Sequence, residues 1–227
     1  MEIEIQAIAT LFKQKETEEN WEDRDVAIQR IRGLCRGGMA NIDGCSASVK
    51  GLLEPVVKSS QSLRTALVMS TCLCISDLAT YLGTQLDHIA EPLVLALIKN
   101  TAAAKKLIAT AASQSLHTLL KNTSYSYRNL SHVLTALVDK NAAVRGFAAS
   151  ASKALIEESL RTESSRVTFD RSGGLDLVEK TIRKGLYDAS ALVRENCRDI
   201  LLLLQQYWPD KVERYQLFYQ MRAWKLA

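Results

Sequence analysis

Proline and glycine are scarce in this chain, 3 and 10 among 227 residues. That is too little for a turn-rich barrel or a disordered tail. Aromatic residues are few, at 6%. The five cysteines, at 35, 45, 72, 74 and 197, are odd in number and show no paired spacing, so no disulfide framework is expected. No run of about 18 apolar residues and no secretory-type start appear, which argues against a membrane partner and for the cytoplasm or nucleus. Also missing are a glycine-rich phosphate loop, a nucleophile elbow and a metalloprotease histidine pair. His88, His117 and His132 fall on separate predicted helices. Cys72 and Cys74, two apart on a helix, point about 200° away from each other, so they read as small core fillers rather than metal ligands. No enzyme, metal site or cofactor is expected.

What remains is helix. Apolar residues make up 47% of the chain and recur at helical spacing, as in Val26, Ile28, Ile31 and Leu34. The helices come in pairs: 3–14 with 23–36, 47–58 with 63–81, 87–99 with 103–120, 128–138 with 142–158, and 174–186 with 191–206. A last helix is expected over about 210–224. Asn20, Ser62, Asn141 and Ser190 are suited to cap the second helix of a pair. Segments 39–46 and 161–173 read as the longest loops. Pro55 is expected to kink its helix, whereas Pro92 and Pro209 fall near helix ends or in early turns.

A repeat organises these pairs. Arg24, Arg64, Lys105, Arg145 and Arg194 are spaced by 40, 41, 40 and 49 residues, each near the start of a pair's second helix. A period of about 40–47 residues with two helices per unit is the mark of HEAT or armadillo arrays. The fold class is therefore all-α, an α-solenoid of HEAT-like helix pairs with a C-terminal capping helix. Residues 1–227 read as one domain, a piece of a longer protein. Stacking lines equivalent turns along one edge. A basic residue near a helix start opposes the macrodipole, so its repetition calls for a reason, and a binding edge is one.

The formal charge is +4, but residues 1–25 carry −5 and the rest +9. A basic body favours an acidic partner surface, although ordinary solvation of helix faces explains it as well. Nucleic acid fits less well, because Asp23, Asp139, Asp188 and Glu195 interrupt the ridge and no aromatics interleave with it. Trp21 sits in a polar first turn, as an exposed anchor or as a lid over the terminal pair. The second turn offers Leu63 beside Arg64, the third Lys105 and Lys106, the fourth Asn141 and Arg145, the fifth Arg194. Lys105, Lys106, Arg145 and Arg194 suit partner carboxylates. Arg145 and Arg194 also suit a bridge to an aspartate of the adjoining repeat. Tyr207, Trp208, Tyr215, Phe218, Tyr219 and Trp224 read as a cap on the last repeat or as a docking surface.

The chain resembles the TOG domains of the CLASP family of microtubule-associated proteins, most of all the second. Asn20-Trp21-Glu22-Asp23-Arg24, with the following Ala27 to Leu34, is similar to the family's first tubulin-facing turn and helix. Leu63-Arg64 resembles the second turn. Leu82 to Glu91 is similar to the segment leading into the third pair. Asn141 to Arg145 and Ile182 to Ala189 resemble the fourth and fifth turns. The third turn, with Ala102-Ala103-Ala104 before Lys105-Lys106, departs from the animal pattern and suggests a fungal or divergent member. The resemblance implies a flat HEAT paddle whose turn edge engages αβ-tubulin or the microtubule lattice through Trp21, Arg24, Leu63, Arg64, Lys105, Lys106, Asn141, Arg145 and Arg194. It implies microtubule stabilisation (pausing, catastrophe suppression or rescue) at the cytoplasmic cytoskeleton, spindle and kinetochore, inside the nucleus for a fungal member. The alternative is a scaffold for kinetochore or spindle proteins, or a dimer, with little or no tubulin contact.

Overall fold

The computed structural model describes residues 2–213. The expected helix over 210–224 lies mostly outside them, as do Tyr215, Phe218, Tyr219 and Trp224, although a helical turn opens at 209–213. Twelve α-helices follow in order among the described residues: α1 Glu2–Leu11, α2 Trp21–Arg36, α3 Cys45–Lys50, α4 Leu53–Ser60, α5 Thr65–Leu82, α6 Asp87–Thr101, α7 Lys106–Asn122, α8 Tyr127–Ala136, α9 Ala142–Ser159, α10 Glu163–Arg171, α11 Gly174–Gly185 and α12 Ala191–Gln205. Short 3-10 turns cover Met39–Asn41 and Gly83–Leu86. No strand occurs among the described residues.

The helices form two layers. One runs α1, α4, α6, α8, α11, each packed on the next, and the other runs α2, α5, α7, α9, α12. This is the paired-helix solenoid expected of the repeat. The core is continuous between the layers, from Ile5, Ile8 and Phe12 through Ile75, Leu93 and Leu119 to Val178, Ile200 and Val212. A single pair exposes its apolar face, and burial against the next pair is what stabilises it. Alanine fills part of the seam, as at Ala112, Ala149 and Ala151, all fully buried. Among the buried hydroxyls, Thr71 donates to the Leu67 carbonyl, and Ser115, on α7, donates to the Cys72 carbonyl on α5, whereas Ser152 Oγ is buried without a partner. At the layer's outer surface Arg32 and Arg36 of α2 reach Asp77 of α5, and Lys153 of α9 reaches Asp199 of α12.

Several local expectations are corrected. The helix over 47–58 is two helices, broken at Gly51-Leu52. Pro55 consequently falls third in α4, where its missing N–H has no intrahelical partner to lose, and it kinks nothing. Pro92 is the interior proline instead, sixth in α6 on an exposed face that solvent reaches. The loop drawn over 161–173 contains α10, which Thr162 caps by accepting from the Ser165 N–H. Its high polarity hid the helix, which buries only Phe169. The residue capping α5 is Arg64, not Ser62. Gly83 ends α5 at φ +55°, a conformation glycine adopts without strain.

All five cysteines are buried and free. Burial pushes the thiols of Cys35 and Cys197 up to about 12 and that of Cys72 to about 11, so they stay neutral and pack as small apolar groups. Cys197 shows how tight the packing is. A Cβ at Gly185 would overlap its Sγ, whereas at Gly146 the nearest neighbour, Leu192 Cδ2, is 3.5 Å away. Gly185→Ala is expected to cost about 1–3 kcal/mol in urea unfolding, and Cys197→Ala to recover part of that loss in the double variant. Gly146→Ala is expected to leave the midpoint near the parent's or above it.

Candidate functional site

The five intra-pair turns each lead from a helix of the first layer into its partner in the second and so share one edge, while the connections between pairs run back from the second layer to the first. Side chains tie neighbouring turns together. Lys58 Nζ donates to the Phe12 carbonyl across 2.8 Å, and Asn100 Nδ2 donates to the Ser60 carbonyl across 2.9 Å. Lys105 Nζ donates to Thr65 Oγ1 at 2.6 Å. Arg145 and Asp188 join the fourth turn to the fifth through two hydrogen bonds, 2.6 and 3.1 Å.

The basic residues of the repeat occupy two different positions on this edge. Arg64 and Lys105 are the residues just before α5 and α7. Arg24, Arg145 and Arg194 are fourth in α2, α9 and α12. From that fourth position an arginine reaches back over its own turn. Arg145 donates to the carbonyls of Asp139 and Lys140, and Arg194 to those of Asp188 and Ala189. Arg24 is buried, its guanidinium 5.0 Å from the centre of the Phe12 ring, and it donates to the Gln14 carbonyl. These three guanidinium groups satisfy backbone carbonyls that would otherwise be left bare at the edge. The adverse charge near the helix start is thus offset locally.

Trp21 opens α2 and is half-buried. Arg64 lies over its ring, 5.2 Å from the centre, a cation–π contact. Arg64 also meets Glu18 at 2.5 Å and Glu16 at 3.9 Å. Asn20 precedes the helix but does not cap it by its side chain. It braces the turn instead, accepting from the Thr17 N–H and donating to the Lys15 carbonyl. Leu63 stands almost entirely in solvent, 97% exposed. A groove of about 550 Å³ separates the first two turns, lined by Glu16, Thr17, Glu18, Gln61, Ser62, Leu63 and Arg64.

Farther along, Lys105 and Lys106 are exposed, and Asn141 is exposed while its Oδ1 accepts from the Ala143 N–H. Leu107 and Leu192, 62% and 54% exposed, extend the apolar part of the edge. Their signal in the sequence was an aliphatic residue second in its helix, off the buried stripe, which looked like ordinary helix filler. The solvent-facing set is therefore Leu63, Lys105, Lys106, Leu107, Asn141 and Leu192, with Trp21 and Arg64 half-buried. Arg24, Arg145 and Arg194 are engaged in holding turns. Among the described residues no group of three or more histidine, cysteine or acidic side chains is placed to hold a metal ion.

The Arg145 guanidinium beside Asp188 holds that carboxyl below its ordinary value of 3.8, and the Ser190 N–H adds to the effect. A depressed carboxyl stabilises the fold above the unfolded-state value and ceases to do so as pH falls through the folded one. Asp188→Asn should therefore lower the melting temperature at pH 7, and the gap between variant and parent should close as pH drops through about 4 and below. A gap that stays constant down to pH 2 would show that the ion pair is not its source.

The family profile described as CLASP N terminal matches residues 1–218. Protein STU1 of Gibberella zeae is 32% identical over 210 residues, which are 92% of this chain and 18% of that protein. Protein STU1 of Coccidioides immitis is 34% identical over 204 residues, covering 89% of this chain and 16% of that protein. The chain thus spans less than a fifth of the length of these relatives. Among solved structures the CEP104 TOG domain superposes with a TM-score of 0.62 at 14% identity, over 94% of this chain and 85% of that one, a likeness of fold.

Proposed function

This chain belongs to the family of CLASP N-terminal domains, and we propose that its turn edge binds αβ-tubulin, free or in the microtubule lattice. As a member of that family it is a non-catalytic TOG module related to the fungal STU1 proteins. The observation that supports the binding reading is the Leu63-Arg64-Trp21 constellation. A half-buried indole, a stacked guanidinium and a fully exposed leucine meet at one end of a line of turns. Tryptophan and arginine are the side chains most enriched at the energetic centre of an interface, and the exposed leucine beside them adds apolar area that a partner would cover. Lys105, Lys106 and Asn141 then supply polar contacts along the rim. Arg24, Arg145 and Arg194 support binding by fixing the turns rather than by meeting the partner themselves.

The correspondence with the second TOG domain, a role in pausing, catastrophe suppression or rescue, and a place at the spindle and kinetochore belong to the same proposal. Spindle work inside the nucleus fits the kinship with fungal proteins. Kinetochore or spindle proteins remain additional partners of the same module. A scaffold or self-associating domain without tubulin contact is the rival reading, and the exposure of Ile3 (84%) and Ile42 (49%) near the N-terminal end favours it.

Cosedimentation with microtubules and gel filtration with free tubulin decide between them. Trp21→Glu, Leu63→Glu and the Lys105→Glu/Lys106→Glu double variant should each weaken binding at least several-fold, with unfolding midpoints close to the parent's for the last two. Arg145→Glu should instead lower the midpoint. Binding unchanged by Leu63→Glu and the double lysine reversal would remove the edge from consideration, and a parent chain that elutes as a dimer would favour self-association.

A further inference from the structure

The groove between the first two turns holds two carboxylates against one guanidinium, and the two are held very differently. Glu16 is half-buried, and its Oε1 accepts from Ser62 Oγ at 2.7 Å. Ser62 Oγ in turn accepts from the Arg64 N–H, so Glu16 is locked into the turn. Glu18 has no such anchor. Its side chain is 88% exposed, and its ion pair is the one to Arg64. Arg64 itself is 28% exposed, stacked on Trp21, with a buried Nε that has no hydrogen-bond partner. One carboxylate is thus fixed and the other releasable, on an arginine held in place by an indole beneath it and by its own main chain.

We propose that Glu18 is an internal stand-in for a partner carboxylate, and that the groove between the first two turns takes an acidic segment whose carboxylate replaces Glu18 on Arg64. This rests on the tubulin-binding reading and specifies its chemistry at one point. Glu16 stays in place through the exchange and keeps the guanidinium oriented. Leu63, standing free at the lip, covers the apolar part of the incoming segment. An exposed ion pair is only weakly favourable, because both charges remain largely hydrated and the side chains lose freedom in forming it. The exchange therefore costs little, whereas a carboxylate delivered from a partner arrives with Leu63 and Trp21 already in contact.

Plain electrostatics also predicts tighter binding to an acidic surface when any nearby carboxylate is removed. The neighbouring Glu19 separates the two accounts, since it is exposed and takes part in no ion pair among the described residues. The test is microtubule cosedimentation at fixed salt with Glu18→Gln, Glu19→Gln, Arg64→Gln and the Glu18→Gln/Arg64→Gln double variant. Thermal melting of each shows that it is folded. The proposal expects Glu18→Gln to bind several-fold more tightly than the parent, Glu19→Gln to change binding by less than two-fold, and the Glu18→Gln gain to vanish on the Arg64→Gln background. Equal gains from Glu18→Gln and Glu19→Gln, or a gain that survives without Arg64, would overturn it while leaving tubulin binding intact. If no variant and no parent cosediments, both the exchange and the binding reading fall.

Discussion

A helix pair of this chain cannot bury its own apolar face, and every other property of the molecule follows from that. Stacking is the remedy, and it has two consequences. The core becomes a long seam between two layers, from Ile5 to Val212. The turns are expelled to the edges, because main-chain groups in a turn need water or a polar partner. The rim is thus a by-product of the core before it is anything else, and its chemistry is set by which side chains reach it.

Those side chains divide by position. An arginine fourth in its helix curls back over the turn and satisfies carbonyls, as Arg145 and Arg194 do in the same way. Leu63, two residues before α5, and Lys106, first in α7, project outward instead. Three residues along the helix separate support from contact. Charge alone does not distinguish the groups, and substitutions in them have different signatures: lost stability in one, lost association in the other.

The solenoid was legible in the sequence because its cause is periodic: apolar spacing of three and four, and a repeat near 40 residues. The second helix of each pair was placed within about three residues for the same reason. The edge was less legible. Counting from Arg24 put five basic residues in one register, but α5 and α7 begin one residue after Arg64 and Lys105. A helix start is set by capping and by packing further along the helix, so a spacing of 40 does not guarantee equivalence. The bridge from Arg145 to an aspartate of the next repeat was one of two readings of that residue, and the geometry realises it. Trp21 was open between anchor and lid, and the structure half-buries it beneath Arg64. The α10 helix was missed because a helix that buries one phenylalanine leaves almost no periodic trace. The pairing of Glu18 with Arg64, 46 residues apart, has no local signature at all.

Two of the bonds between turns end on main-chain oxygens, Phe12 for Lys58 and Ser60 for Asn100. A carbonyl is present whatever residue carries it. At these two junctions the accepting turn can exchange its outward side chains without disturbing how far it stands from the next, and the pitch there is inherited by the backbone. Recognition chemistry is free to drift on a ruler whose graduations do not move.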